Sequence, residues 1–200
     1  MTLLERTPTA ALCEDRVSVL KTERLVLRPP VLDDAAAIAA LVNDRRIAQN
    51  TARIPYPYTL ADAHAFLTAV DASDREIVFL ITARAGVIGC CGIEQRDGEE
   101  AEIGYWLGVP FWGQGYATEA ARAVIDYAFG ELGRVTLQAG ARVSNGASRR
   151  VLEKCGFQWT GVGLYRIRAL ASSAPCDRFR LDRGLWASLK SWGQRRERGE

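Results

Sequence analysis

Two hundred residues, 48% hydrophobic and 25% charged, suffice for one continuous core and fall short of two independent ones. A formal charge of +2, from 26 basic and 24 acidic groups, is too balanced for its net field to attract nucleic acid. No apolar run approaches the roughly 18 residues of a membrane span, and the N-terminus lacks the charged-then-apolar order of a leader, so no membrane and a cytoplasmic location are expected.

Residues 1–20 show no sustained hydrophobic period and read as an N-terminal extension, loosely ordered or packed on a neighbour, to one domain over residues 21–190. Residues 22–28 are rich in Leu and Val and stop at Pro29-Pro30, which predicts the first strand. Asp33 and Asp34 precede apolar residues at Ala37, Ile38, Leu41 and Val42, the spacing of a helix with an acidic start. Pro55 and Pro57 make residues 54–59 a loop, and Thr59 is placed to cap a helix over residues 61–70. Residues 77–83 and 87–93 read as a hairpin about Arg84-Ala85-Gly86, and Arg96-Asp97-Gly98-Glu99 as the turn into a third strand over 101–107. From Ala117 the apolar positions 117, 120, 121, 124, 125, 128 and 129 follow the period of a helix packing on a sheet. A strand over 135–143, a short helix over 148–154 ended by Gly156, and strands around 161–169 and 177–182 complete the domain. The tail over 191–200 is polar and charged and is expected to fray. The sum is a mixed α/β sheet with helices on its faces.

Five cysteines, Cys13, Cys90, Cys91, Cys155 and Cys176, are odd in number and scattered, which fits reduced thiols. Cys90 and Cys91 are adjacent on a strand and so point to opposite faces. The single histidine, His64, has no second ligand at metal spacing, so no metal site is expected. Cys155 without a partner histidine is a poor nucleophile candidate.

Between the third hairpin strand and the long helix lies Gly113-Gln114-Gly115-Tyr116-Ala117. Small residues let the backbone approach a ligand, and a helix start offers unpaired N–H groups and a positive dipole end to a pyrophosphate. No Lys-Ser/Thr pair follows and Gly-x-Gly-x-x-Gly is incomplete, so nucleotide triphosphates and NAD fit poorly. A plain tight turn is the bland alternative.

The stretch over 102–120 (Glu-Ile-Gly-Tyr-Trp-Leu-Gly-Val-Pro-Phe-Trp-Gly-Gln-Gly-Tyr-Ala-Thr-Glu-Ala) resembles the strand, pyrophosphate loop and helix of GNAT acetyltransferases, in particular the ribosomal-protein N-terminal acetyltransferase branch. Residues 22–29, 54–59 and 144–157 resemble that branch's first strand, helix-to-helix loop and second cofactor motif in order, so the resemblance runs from about residue 21 to about 183. The usual motif starts with Gln or Arg where Trp112 stands, while Gly115 and Ala117 match. The resemblance implies a GNAT-like, mostly antiparallel central sheet with helices on both faces and acetyl-CoA as cosubstrate. It further implies cofactor contacts from Leu107, Val109, Gly113, Gln114, Gly115, Tyr116, Ala117, Thr118, Asn145, Ser148 and Arg150. Asn145 is equally a helix N-cap, and for any one of Arg149, Arg150 and Lys154 a solvated basic face is favoured over screening of the cofactor's 3′-phosphate.

The reaction implied is direct attack of an amine on the thioester in a ternary complex. The ammonium must lose a proton, the oxyanion needs donors, and the departing thiolate gains a proton. Glu102 shares a strand face with Gly104 and Trp106 and is the candidate base; a surface glutamate is its alternative. Backbone N–H groups over 107–109 are the family's oxyanion donors. The family's acid tyrosine is replaced by Leu152, which leaves Ser148 as the candidate acid. The acceptor is read as a protein N-terminus, with a small amine as the alternative. Few acidic residues in the acceptor region, 43–68 and 161–175, disfavour aminoglycosides. A non-catalytic acyl-CoA sensor is the competing class, and a homodimer is left open.

Overall fold

The computed structural model describes residues 18–95 and 100–197, with side chains to residue 192. The residues 1–17 of the expected extension, Cys13, and the turn at Arg96-Asp97-Gly98-Glu99 lie outside the described residues. Among the described residues eight strands form one sheet: β1 (Leu20–Lys21), β2 (Val26–Arg28), β3 (Glu76–Ala83), β4 (Gly86–Glu94), β5 (Ala101–Leu107), β6 (Thr136–Arg142), β7 (Gln158–Ile167) and β8 (Ser172–Asp182). Their order is β1-β2-β3-β4-β5-β6-β8-β7, antiparallel throughout except between β5 and β6. Among the described residues six α-helices accompany them: α1 (Ala35–Val42), α2 (Arg45–Ala48), α3 (Leu60–Asp71), α4 (Tyr116–Gly130), α5 (Gly146–Lys154) and α6 (Arg183–Glu197).

Strand alternation sorts the apolar residues into two cores. Phe79, Ile81, Cys91, Ile93 and Ile103 join the α4 face, where Ala120, Ala121, Val124, Ile125, Ala128 and Phe129 are buried as their period predicts. Val78, Leu80 and Cys90 point the other way, onto α1 and α3 through Ile38, Val42, Ala63 and Leu67. The adjacent cysteines therefore do face opposite sides, and Cys90, Cys91, Cys155 and Cys176 are buried free thiols. The Thr59 cap forms with Asp62 in a reciprocal pair of hydrogen bonds.

Three expectations change. The first strand does not begin at residue 22, because the Thr22 hydroxyl accepts from Leu25 N–H at 3.1 Å and turns the chain. Leu20, the last residue of the expected extension, and Lys21, the first of the expected domain, then form a short strand that pairs antiparallel with Leu27 and Val26. The third change is α6, which occupies most of the segment expected to end in a frayed tail. Asp182 Oδ1 accepts from Leu185 N–H at 2.9 Å at its start, and Trp186 packs its ring 5.2 Å from that of Phe129 on α4.

One register detail creates the site. β5 and β6 are paired only at Ala101–Leu137 and Glu102–Gln138. Beyond that point β5 keeps to β4 as far as Leu107, while β6 keeps to β8 as far as Arg142. The sheet therefore splits into two wings that open past Glu102.

Candidate functional site

The loop from β5 to α4 lies at the mouth of this opening. Residues 112–115 are exposed. Gly113 and Gly115 have φ of +75° and +84°, a region that side chains with a Cβ enter at a cost. A Cβ on Gly113 would meet nothing within 4 Å, and one on Gly115 would lie 3.3 Å from Arg24 Nη2. Gly115 is itself the residue that caps α4, and it makes no side-chain cap bond. The first amides of a 15-residue helix thus meet an open approach, which is the donor set a diphosphate requires. The residues present fit the pyrophosphate of acetyl-CoA.

What holds the loop is a clamp that the sequence reading missed. The Glu119 carboxylate, in the first turn of α4, accepts from Thr22 Oγ1 at 2.6 Å, from Arg24 N–H at 2.9 Å and from Arg24 Nε at 2.7 Å. Arg24 also donates to the Gln114 carbonyl at 3.0 Å and lies over the Tyr116 ring at 4.6 Å. Burial acts to raise the Glu119 pKa, but the donors Thr22 and Arg24 outweigh it and hold the carboxyl below its usual range. Gln114 spends its amide on the Pro110 carbonyl at 2.9 Å. Arg24→Ala is expected to weaken acetyl-CoA binding about tenfold by releasing Gln114 and Glu119 together, which titration calorimetry measures directly. An unchanged Kd would show that the loop holds its shape without the clamp.

Trp112, the departure from the usual motif, has a structural use. Its indole donates to the Leu107 carbonyl at 2.8 Å, while Gly108 N–H donates to the Ile88 carbonyl at 2.9 Å. Both ends of the Leu107–Gly108 peptide are thereby fixed. Because successive N–H groups along a strand point to opposite edges, the Leu107 N–H points away from β4 and into the opening. The Gly108 amide is committed to β4.

Glu102 is half-buried on the opposite face of β5 from Tyr105, at the point where the wings part. Its Oε1 lies 3.6 Å from the place a Cβ would take on Gly140, and the Tyr165 ring lies 3.9 Å from the same place. Gly104, next on the same face, has nothing within 4 Å of its Cβ position. Trp106 continues that face into the α1 and α3 core.

The other side of the opening holds Ser148. Asn145 caps α5 by accepting from Ser148 N–H at 3.1 Å, so the capping alternative holds for its carbonyl; its amide nitrogen takes no part. The Ser148 hydroxyl lies 2.9 Å from the Tyr105 hydroxyl, which also donates to the Ser148 carbonyl at 3.2 Å. Burial raises the Tyr105 phenol well above its ordinary value, against the effect of the Ser148 bond, so it stays neutral across the assay range. Leu152, where the family often has tyrosine, is in the core at 1% exposure. Tyr105 brings a phenol to Ser148 from the strand instead, a contact that its i, i+2 relation to the buried Ile103 and Leu107 does not reveal.

Of the basic residues on α5, Arg150 keeps near the helix start, with Nη1 3.5 Å from the Cβ position of Gly146. Arg149 turns away to an ion pair with buried Asp177 at 3.1 Å. Lys154 gives its carbonyl to Arg122 at 2.8 Å. Burial pushes the Cys155 thiol up to about 11, which keeps it protonated and inert. Among the described residues no group of three or more His, Cys, Asp and Glu could hold a metal ion, and no helix is long and apolar enough to cross a membrane.

Known proteins resemble this chain in sequence and in fold. A family model described as acetyltransferase (GNAT) domain matches residues 24–158. The N-acetyltransferase p20 of Bacillus licheniformis is 30% identical over 153 residues, which cover 73% of this chain and 85% of p20. RimJ of Mycobacterium smegmatis, solved with a CoA disulfide, superposes with a TM-score of 0.72 at 20% identity, covering 80% of this chain and 82% of that one. RimL, named as a ribosomal L7/L12 alpha-N-protein acetyltransferase and solved with coenzyme A, superposes with a TM-score of 0.73 at 17% identity, covering 82% and 98%. The chain belongs to the GNAT family of acetyltransferases, whose acyl donor is acetyl-CoA.

Proposed function

We propose that the chain transfers the acetyl group of acetyl-CoA to the α-amine of a protein or peptide N-terminus, by direct attack with both substrates bound together. The observation that carries this reading is the opening between β5 and β6, which has a carboxylate on one face and a hydroxyl pair on the other. Acetyl-CoA supplies an activated acetyl thioester. The amides of 113–118 hold its diphosphate, with Arg150 near the same helix start as Asn145. Glu102 takes a proton from the incoming ammonium, on the face away from α4 and α5. The Leu107 N–H, aimed by the Trp112 bond, is placed to donate to the acetyl oxygen, with Val109 beside it. As the C–S bond breaks, Ser148, held by Tyr105 and Asn145, gives its proton to the departing sulfur from the opposite face and takes back the second proton that the acylated nitrogen sheds. A base on one face of β5 and an acid held against the other let a single reacting centre between the wings meet both at once.

An α-amine suits this site because, with a pKa near 7.8, it costs about 1 kcal/mol to deprotonate at pH 7, against more than 4 for a lysine side chain. A fold neighbour that acts, by its name, on a protein α-amine supports the same acceptor class. Buried free thiols suit a reducing cytoplasm. The deciding experiment is thiol release with a panel of N-terminal peptides, lysine peptides and small amines. The expected outcome is turnover with peptides bearing a free α-amine and intersecting initial-velocity lines. Tight acetyl-CoA binding without turnover on any acceptor would instead establish a sensor, and turnover confined to small amines would move the acceptor class.

The hydroxyl pair makes its own prediction. Tyr105→Phe keeps the ring and its packing, and is expected to lower kcat about tenfold with the acetyl-CoA KM within twofold. In the cycle with Ser148→Ala, the double variant is expected to be no slower than Ser148→Ala alone. Additive losses would show that the two hydroxyls act separately.

A further inference from the structure

We propose that the acceptor side of this site selects amines that carry a carboxylate close to the attacking nitrogen, and that Arg178 is its charge partner. The inference rests on the acetyltransferase reading above and names its substrate class more narrowly.

Arg178 lies on β8 directly beside Gly140 of β6, and Gly161 of β7 flanks it on the other side. Pairing puts it on the same sheet face as Glu102: Glu102 is level with Gln138, Gly140 follows two residues on, and Gly140 is level with Arg178. Missing side chains leave room there. A Cβ on Gly163 would fall within 2.4 Å of the Arg178 guanidinium, so the arginine lies flat across that glycine. Its guanidinium carbon is 5.7 Å from the centre of the Tyr165 ring, and that ring borders the same Gly140 position as the Glu102 carboxylate. A line of groups therefore runs from Glu102 past Tyr165 to Arg178 over a floor of glycine.

Charge distinguishes Arg178 from its neighbours. Arg180 is bound by both oxygens of Glu100, at 2.9 to 3.1 Å, and Arg149 by Asp177. Arg142, on the same face, donates to the Gln49 carbonyl at 2.8 Å. Arg178 is exposed and has no carboxylate in ion-pair distance among the described residues. A planar guanidinium, oriented by an aromatic ring and matched by no carboxylate of its own, is the group that recognises a carboxylate in two-pronged fashion. On the same sheet face as a base that needs a cationic amine, with the Tyr165 ring between them, it completes a site for a zwitterion: amine toward Glu102, carboxylate toward Arg178. The carboxylate can be that of a free amino acid or the side chain of an acidic residue following a peptide's first residue.

The test compares kcat/KM for matched acceptors. One arm uses peptides that begin Ala-Glu, Ala-Gln and Ala-Lys with identical remainders; the other uses alanine and alaninamide. Carboxylate acceptors are expected to lead on the order of tenfold in one arm, which also identifies the source of the carboxylate. Arg178→Gln is expected to abolish that ratio and Arg178→Lys to restore part of it, with the acetyl-CoA Kd within twofold in both. Equal use of charged and uncharged acceptors in both arms, or a ratio that persists in Arg178→Gln, overturns the proposal. Failure to bind acetyl-CoA or to turn over any acceptor overturns the acetyltransferase reading itself, so the two failures are told apart.

Discussion

Glu102→Gln is expected to lower kcat at pH 7 by about a hundredfold or more while the acetyl-CoA Kd changes less than twofold. General-base assistance contributes about 10²–10⁴ in rate, and glutamine keeps the shape of the side chain while losing its ability to take a proton. The cofactor loop is unaffected, because Glu102 lies on the far face of β5 from α4, to which the clamp at Glu119 belongs. The pH dependence has a definite sign. Without the base, turnover depends on amine that is already neutral, so the variant's rate should climb as pH rises toward the acceptor's pKa, near 7.8 for an α-amine. The ratio of wild type to variant should therefore shrink by several-fold between pH 6.5 and 8.5. Lysine acceptors should show the larger deficit at every pH, since their neutral fraction is always smaller, by more than two orders of magnitude at pH 7. Initial rates by thiol release, paired with calorimetry, measure both quantities. Undiminished turnover at neutral pH would remove Glu102 as the base, and a matching loss in cofactor affinity would make it a structural residue.

The parts of this molecule that were legible in its sequence are those that repeat locally. The period of α4 is written in positions 117, 120, 121, 124, 125, 128 and 129; the last six are buried as predicted, and Ala117 is partly buried against the same core. The Thr59 cap and the opposite facing of Cys90 and Cys91 follow from spacings of three and one. The clamp was not legible, because it joins Arg24 to Glu119 across 95 positions, and no local period links a turn to a distant helix start. The pairing of Tyr105 with Ser148 was hidden for a similar reason: alternation marks Tyr105 as facing the core and is silent about what its hydroxyl reaches. Helix α6 was missed because its polar face dominates the composition. The signal was present in Asp182 as a cap and in Leu185, Trp186 and Leu189 at helical spacing, with Trp186 donating its indole N–H to Asp126 at 2.7 Å. Trp112 read as a flaw in a motif; only the bond to the Leu107 carbonyl gives it a purpose.

Gly115→Val should remove acetyl-CoA binding, raising Kd by more than a hundredfold without unfolding the protein. A β-branched residue at φ +84° is strained by about 1–3 kcal/mol before any contact is counted. Its Cβ would stand 3.3 Å from Arg24 Nη2, and its methyl groups reach further, toward the arginine that holds Gln114 and Glu119. The strain is relieved either by turning the peptide before Tyr116 or by displacing Arg24, and both re-aim the first amides of α4 away from a diphosphate. The core below is spared, since Ala120 and Ala121 begin the buried face one turn later. Gly113→Ala provides the scale for comparison. Its φ of +75° carries a similar conformational cost, yet its Cβ meets nothing within 4 Å, so a loss of about tenfold is expected. An ordering in which Gly115→Val binds worse than Gly113→Ala, with unchanged circular dichroism in both, ties the affinity to the aim of the amides at residue 115. Equal and small effects would mean that the diphosphate is held elsewhere, and the site would have to be redrawn around α5.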